Sequence, residues 1–191
     1  MFEGSTTVKP LQAPPLQVAH WFNTPAPVTL EQLGGRVVVL HAFQMLCPRC
    51  VSHGLPQAQR LHRLFSREQV SVVGLHTVFE HHAVMGNAAA LQAFIHEYRL
   101  DFPIGMDQPD GTDGVPKTMQ ALNLRGTPSL VVLDKQGRVR LNHFGVIDDL
   151  QLGALVGGLI GEPALSQEEA QLPLRCDETG CALPASAATG P

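Results

Sequence analysis

The stretch RVVVLHAFQMLCPRC, Arg36 to Cys50, decides how the rest of this chain is read. Arg36 to Phe43 is an apolar run rich in β-branched residues, the pattern of a strand buried on both faces. Pro48 stands where a helix can begin, because the N–H that proline lacks would be unpaired there anyway. Val51, Leu55, Ala58, Leu61 and Phe65 continue as an apolar stripe at helical spacing. A buried strand therefore hands over to a helix, and Cys47 and Cys50 sit at the junction.

That position governs the chemistry of the pair. The first turn of a helix has unpaired N–H groups and the positive end of the helix dipole, and both favour a thiolate over a thiol. A thiol with a pKa near ~8.5 is only slightly ionised at pH 7, whereas one lowered to about 7 is half ionised. Arg49 adds a positive charge between the cysteines. The two-residue spacer puts Cys50 one turn after Cys47, so the sulfurs can meet. Cys47 is then the attacking sulfur and Cys50 the one that resolves a mixed disulfide. Half of a zinc site and a pair of inert buried thiols are the two other readings.

Outward from the junction, strand and helix alternate. Gln17 to Phe22 suits a short edge strand, and Thr29 to Leu33 before Gly34-Gly35 a helical turn closed by glycine. Gln69 to Val78 reads as a second buried strand and Asn87 to Leu100 as an amphipathic helix. Asp101 to Asp113 holds a short strand and a loop, and Val115 to Leu122 a short helix. Pro128 to Asp134 and Arg138 to Gly145 form a hairpin about Lys135-Gln136-Gly137, and Asp148 to Ile160 closes with a helix. The expected class is α/β: a central mixed sheet flanked by helices, parallel where helices intervene, with an antiparallel edge from the hairpin. Residues 1–16 read as a loose arm, 17–160 as the domain, and 161–191 as a tail with a short capped helix at Ser166 to Glu169 and a second pair, Cys176 and Cys181.

Composition narrows the function. A length of 191 residues suits one domain with extensions. Only 16% of residues are charged and the net charge is −4, a poor match to a phosphate backbone, so no nucleic-acid partner is expected. No apolar segment follows Lys9 as in a secretory leader, and Leu152 to Ile160 is too short to span a bilayer. The chain as written reads as soluble and cytoplasmic. Four cysteines are too few for a disulfide scaffold, and pairs in a reducing compartment point to redox chemistry or metal.

Leu40 to Cys50, with Gly126-Thr127-Pro128 some eighty residues on, resembles the thioredoxin superfamily. Trp21-Phe22-Asn23, Val28 to Gly35, Val73 to Thr77 and Val132 to Gly137 are similar to the TlpA/ResA-like branch, related to AhpC/TSA proteins. The resemblance covers residues 17–160. It implies a thioredoxin-like fold and a thiol–disulfide oxidoreductase that needs no cofactor or metal. Its partners would be a disulfide-containing protein or small thiol, and an electron donor. It also implies that Pro128 is a cis-proline facing the cysteines, with the Thr127 backbone open to an incoming chain. Arg125 lies where peroxiredoxin-like proteins carry an active-site arginine, supporting Cys47 or pairing with a surface acid.

The departures are informative. Leu46 replaces the usual tryptophan, and Pro56 lies six residues after Cys50 instead of five, which calls for a one-residue bulge near His53-Gly54. The acid of ResA-like proteins in that stretch is absent, and His53 is the nearest polar residue. His41 stands six residues before Cys47, where thioredoxins bury an aspartate. There it accepts the proton of Cys50 during resolution, or else it is a core histidine bound to a carbonyl. Gln44 stands where peroxiredoxins carry the peroxide-binding threonine, which weakens a thiol-peroxidase alternative. A metal-binding module using all four cysteines is the third reading. His76, His81 and His82 form a loose cluster with Glu80 at the cysteine end of the sheet, which reads as a solvated loop in preference to a metal site. Asp107, Asp110 and Asp113 lack the spacing of a calcium loop and read as a turn-rich loop. In the tail, Asp177 and Glu178 should raise the thiol pKa of Cys176 and Cys181. That pair is expected to exchange with Cys47–Cys50, to form a fixed disulfide, or to share a zinc ion with it.

Overall fold

The strand β2 (Val37–Phe43) is buried at every residue, and the sheet extends from it in both directions. The structure is a computed structural model describing residues 11–111, 114–163, 175–177 and 180–182. On one side β2 pairs in parallel with β3 (Val70–His76), Val37 opposite Val70 and Phe43 opposite His76. On the other it pairs antiparallel with β5 (Ser129–Leu133), Ala42 opposite Ser129. The sheet is completed by β1 (Val18–Phe22), β4 (Ile104–Asp107) and β6 (Val139–Phe144), in the order β1-β4-β3-β2-β5-β6. Antiparallel pairing is not confined to the closing hairpin: β1 returns along β4, and β5 itself runs against the central strand.

A parallel pair needs a crossover, and α1 (Leu55–Leu64) supplies it between β2 and β3. Because side chains alternate along a strand, Val37, Val39, His41 and Phe43 share one face and Val38, Leu40 and Ala42 the other. The first face packs under α1, α3 (Ala88–Glu97) and α5 (Asp149–Gly161) through Leu55, Leu61, Leu91, Ile95, Leu152 and Val156. The second is covered by α4 (Lys117–Ala121) and the segment before β2, through Met119, Leu122 and Leu33. Asn87 and Asp148 start α3 and α5 by accepting first-turn N–H groups on their side chains, at 2.8 Å from Ala89 and 2.9 Å from Leu150.

Local differences from the sequence reading have clear causes. Thr29 to Gly35 forms hydrogen-bonded turns and no helix, and Gly35 takes a φ of +83°. A short α2 (His82–Met85) follows β3. Asp107 is no loop residue: its carboxylate accepts the Thr118 and Met119 N–H groups at 2.9 and 3.0 Å and so caps α4. Burial pushes that carboxyl pKa upward, against these bonds. Asp113 lies outside the described residues. Part of the arm is tied down, since Val139 N–H donates to the Leu11 carbonyl at 2.8 Å and Ala13 N–H to Gly137 at 2.9 Å. At the end of the sheet away from the cysteines, Lys135 Nζ donates to the Ile160 and Glu162 carbonyls at 2.6 and 2.7 Å and fixes the last turn of α5. The tail helix at Ser166 to Glu169 lies outside the described residues. Beyond it β7 (Arg175–Asp177) and β8 (Gly180–Ala182) form an antiparallel hairpin.

Candidate active site

Val51 N–H donates to the Cys47 carbonyl at 3.1 Å, the first backbone bond of the helix that follows β2. Cys47 is therefore the residue at the helix mouth, and Cys50 N–H donates to its sulfur at 3.2 Å. Cys47 and Cys50 are joined as a disulfide with their Cα atoms 5.2 Å apart. The two sulfurs are not equivalent. Cys47 is half-buried, whereas Cys50 is fully buried within the core cluster that includes Phe43 and Leu55. An incoming group reaches Cys47 first, and an N–H aimed at that sulfur favours thiolate once the pair is reduced.

The bulge expected from Pro56 is a π-turn over Cys50–Gly54, closed by the Leu55 N–H donating to the Cys50 carbonyl. Its last residue explains itself: a Cβ on Gly54 would collide with the His41 ring. His41 therefore lies under the turn that begins at Cys50. It is 2% exposed, and neither ring nitrogen has a hydrogen-bond partner. Burial lowers its pKa to about 4, so the imidazole is neutral at pH 7. The carbonyl partner of a core histidine is absent here. His53 is excluded as a stand-in for the missing acid, because it is exposed and its Nδ1 sits 2.7 Å from Ser52 Oγ.

Opposite the cysteines the Thr127–Pro128 peptide is cis, and the Thr127 carbonyl oxygen lies 3.6 Å from Cys47 Sγ. Gly126 passes under Phe144, where a Cβ would come within 2.9 Å of the ring. Arg125 does not support Cys47, nor does it pair with an acid among the described residues. Its guanidinium lies over the Phe144 ring, 5.7 Å from the centroid. Leu46, Phe144 and Val146 are exposed at 58%, 48% and 37%, and with them Arg49 and Arg125 give the site an apolar rim carrying positive charge.

A polar network escaped the sequence reading. Gln44, 1% exposed, donates through Nε2 to Glu80 Oε1 at 3.2 Å and to Thr127 Oγ1 at 3.5 Å. It links the loop after β3 to the loop bearing Pro128. Glu80 therefore belongs to this link. His76 is not solvated: it is fully buried at the end of β3, within the strand read from the sequence, its Nε2 accepts the Met45 N–H at 3.4 Å, and burial lowers its pKa to about 4. The signal for both was the register, which sets Phe43 beside His76 and could not be read before the strands were paired. Among the described residues no three His, Cys, Asp or Glu side chains cluster as a metal site, and no helix is long and apolar enough to cross a membrane.

Comparison with known proteins agrees with this geometry. The family pattern described as Redoxin matches residues 12–150. A solved thioredoxin-like superfamily protein is 51% identical with a TM-score of 0.78, covering 81% of this chain and 99% of its own. A thiol-disulfide isomerase from Corynebacterium glutamicum is 47% identical with a TM-score of 0.75, covering 79% of this chain and 98% of its own. Among curated relatives, the thiol:disulfide interchange protein DsbE of Pseudomonas aeruginosa is 28% identical over 71% of this chain and 68% of its own length. The NHL repeat-containing protein 2 of Bos taurus is 26% identical over 66% of this chain, a match that spans only 16% of that longer protein.

Proposed function

The chain belongs to the Redoxin family, and on that premise we propose that it is a thiol–disulfide oxidoreductase in which Cys47 attacks substrate disulfides while Cys50 resolves the product. The Cys47 thiolate attacks one sulfur of the substrate, breaks its S–S bond and releases one thiolate. Cys50 then attacks Cys47 Sγ, closing the Cys47–Cys50 disulfide and releasing the second substrate thiolate. Two electrons pass from the pair to the substrate, and an external dithiol restores the pair. The observation that carries the assignment is the asymmetry at the helix mouth: Cys47 accessible with an N–H on its sulfur, Cys50 buried beneath it. The apolar rim and the open Thr127 carbonyl suit an extended peptide that carries the disulfide.

The test is alkylation of the reduced protein at mildly acidic pH, followed by reduction of a model protein disulfide with a dithiol donor. Cys47 should be labelled far faster than Cys50, and the disulfide should turn over much faster than hydrogen peroxide is consumed. A faster Cys50, or peroxide as the better substrate, overturns the assignment.

His41 takes the Cys50 proton in this scheme. It is the neutral base under the turn that starts at Cys50, and its ring nitrogens are free. His41→Ala should slow resolution of a mixed disulfide by about a hundredfold while leaving its formation nearly unchanged. Separate single-turnover rates for the two steps check this. If both steps keep their rates and only stability falls, His41 is a packing residue.

A further inference from the structure

We propose that Cys176 and Cys181 form a second redox pair that exchanges its disulfide with Cys47–Cys50 of the same molecule. The proposal rests on the oxidoreductase reading above. Its first support is register. In the hairpin of β7 and β8, Asp177 pairs with Gly180 across a two-residue turn, and Cys176 pairs with Cys181. A pair that closes a two-residue turn exchanges both of its hydrogen bonds. The next pair out is therefore the close, non-hydrogen-bonded kind, with Cα atoms about 4.5 Å apart. That separation falls within the range a disulfide spans. A backbone register of this kind allows the two cysteines to close a disulfide.

The second support is reach. Glu162 is held to Lys135 and to Arg140 at the end of the sheet away from Cys47. From Thr127, beside Cys47, to Lys135 is eight residues, five of them the strand β5, so the distance is at most roughly 26 Å. Arg175 lies thirteen residues after Glu162, a separation that a chain can span up to about 43–47 Å. The hairpin thus reaches the cysteines at little more than half extension. A tether in that regime gives an effective concentration on the order of millimolar, above that of a typical free protein substrate.

The third support is complementarity. Asp177 and Glu178 follow Cys176 in the sequence and give that segment negative charge, while Arg49 and Arg125 are exposed at the rim of the site, and neither has an acidic partner among the described residues. Opposite charge lowers the free energy of the encounter complex and orients it.

The exchange is balanced within the chain. A thiolate of the tail pair attacks Cys47 Sγ and frees Cys50 as a thiolate. The other tail thiolate attacks the tail sulfur of that mixed disulfide, closing Cys176–Cys181 and freeing Cys47. Two electrons pass from the tail to the central pair, and the two protons released by the tail thiols end on Cys47 and Cys50. The reverse sequence moves both the other way. The tail is then the point at which a dithiol donor loads or unloads the enzyme while the apolar rim stays free for substrate.

The test leaves one cysteine in each pair. C50S/C181S and C50S/C176S proteins are reduced and given oxidised glutathione. Cys47 takes a glutathione sulfur, and the remaining tail thiolate displaces it. Mass spectrometry should show an internal Cys47–Cys176 or Cys47–Cys181 link in most molecules of at least one variant, to an extent independent of protein concentration. If Cys47 carries glutathione but never links to the tail, or links only between molecules, the exchange is overturned and the oxidoreductase reading stands. If Cys47 takes no glutathione, both fall. In wild-type protein given a single equivalent of dithiol, disulfide should be found in both pairs. A tail disulfide that stays closed while Cys47–Cys50 opens, or bound zinc lost on C176S, also overturns it.

Discussion

Cys47→Ala should abolish disulfide turnover, by on the order of a thousandfold or more, while Cys50→Ala should fail differently. The first variant removes the only cysteine of the central pair that a substrate can approach, since Cys50 is fully buried. Cys50→Ala keeps the accessible sulfur at the helix mouth, so the first attack proceeds and the reaction stops at the mixed disulfide. Multiple turnover falls by about a hundredfold, because release then depends on an external thiol. Cys47 of that variant remains the fast-alkylating residue, and a substrate adduct builds up on it. Steady-state rates and intact-protein mass spectra separate the two outcomes. Substantial turnover by Cys47→Ala, or no trapped adduct on Cys50→Ala, would show that the roles are exchanged or shared.

How much of this was legible in the sequence differs by element. β2, the helix after it and the cysteine pair were readable because local signals agree: a continuous apolar run, proline at the helix start, and apolar spacing of helical period. Even the π-turn left a trace, as the one-residue displacement of Pro56, and the structure supplies its reason in the contact between Gly54 and His41. What was not legible depends on register between distant segments. Asp107 belongs to a string of aspartates that looks like a loop, yet it caps α4 because β4 ends beside it. Gln44 and Glu80 meet only because β2 and β3 end at the same level. Arg125 sits near Pro128 in sequence, but the Phe144 ring offers its guanidinium a flat apolar face, and no bond to Cys47 forms. The arm looked loose because a bridge such as Gln12 to Arg138 has no local signature.

Stability should fall steeply as the pH drops from 6.5 toward 4, and two buried histidines should account for most of the fall. His41 and His76 both have pKa values lowered from 6.5 to about 4, chiefly by burial. The unfolded chain protonates them near 6.5, so within this window it binds up to two more protons than the folded protein. Stability then rises with pH across the window, is fully present above 6.5, and is lost as pH falls through it. At 1.36 kcal/mol per unit, each histidine removes about 2 kcal/mol by pH 5 and roughly 3 kcal/mol by pH 4. The pair together is comparable to the whole stability of an ordinary domain. Asp107 acts in the opposite sense, because its raised pKa relieves a cost as the carboxyl protonates, but the Thr118 and Met119 N–H groups bonded to it oppose that shift. Urea unfolding at pH 7 and pH 5 measures the slope, and the informative variants are His41→Leu and His76→Leu. Each changes absolute stability through packing, yet each should cut the difference between the two pH values by about 2 kcal/mol. The slope therefore isolates ionisation from volume. An unchanged slope in both variants would mean that protons enter elsewhere. A slope lost with His41 alone would mean that the folded protein accommodates the His76 charge. The same burial keeps the His41 imidazole neutral, as the proposed proton acceptor for Cys50 must be, so acid sensitivity and the protonation state that resolution requires both follow from its burial beneath the π-turn.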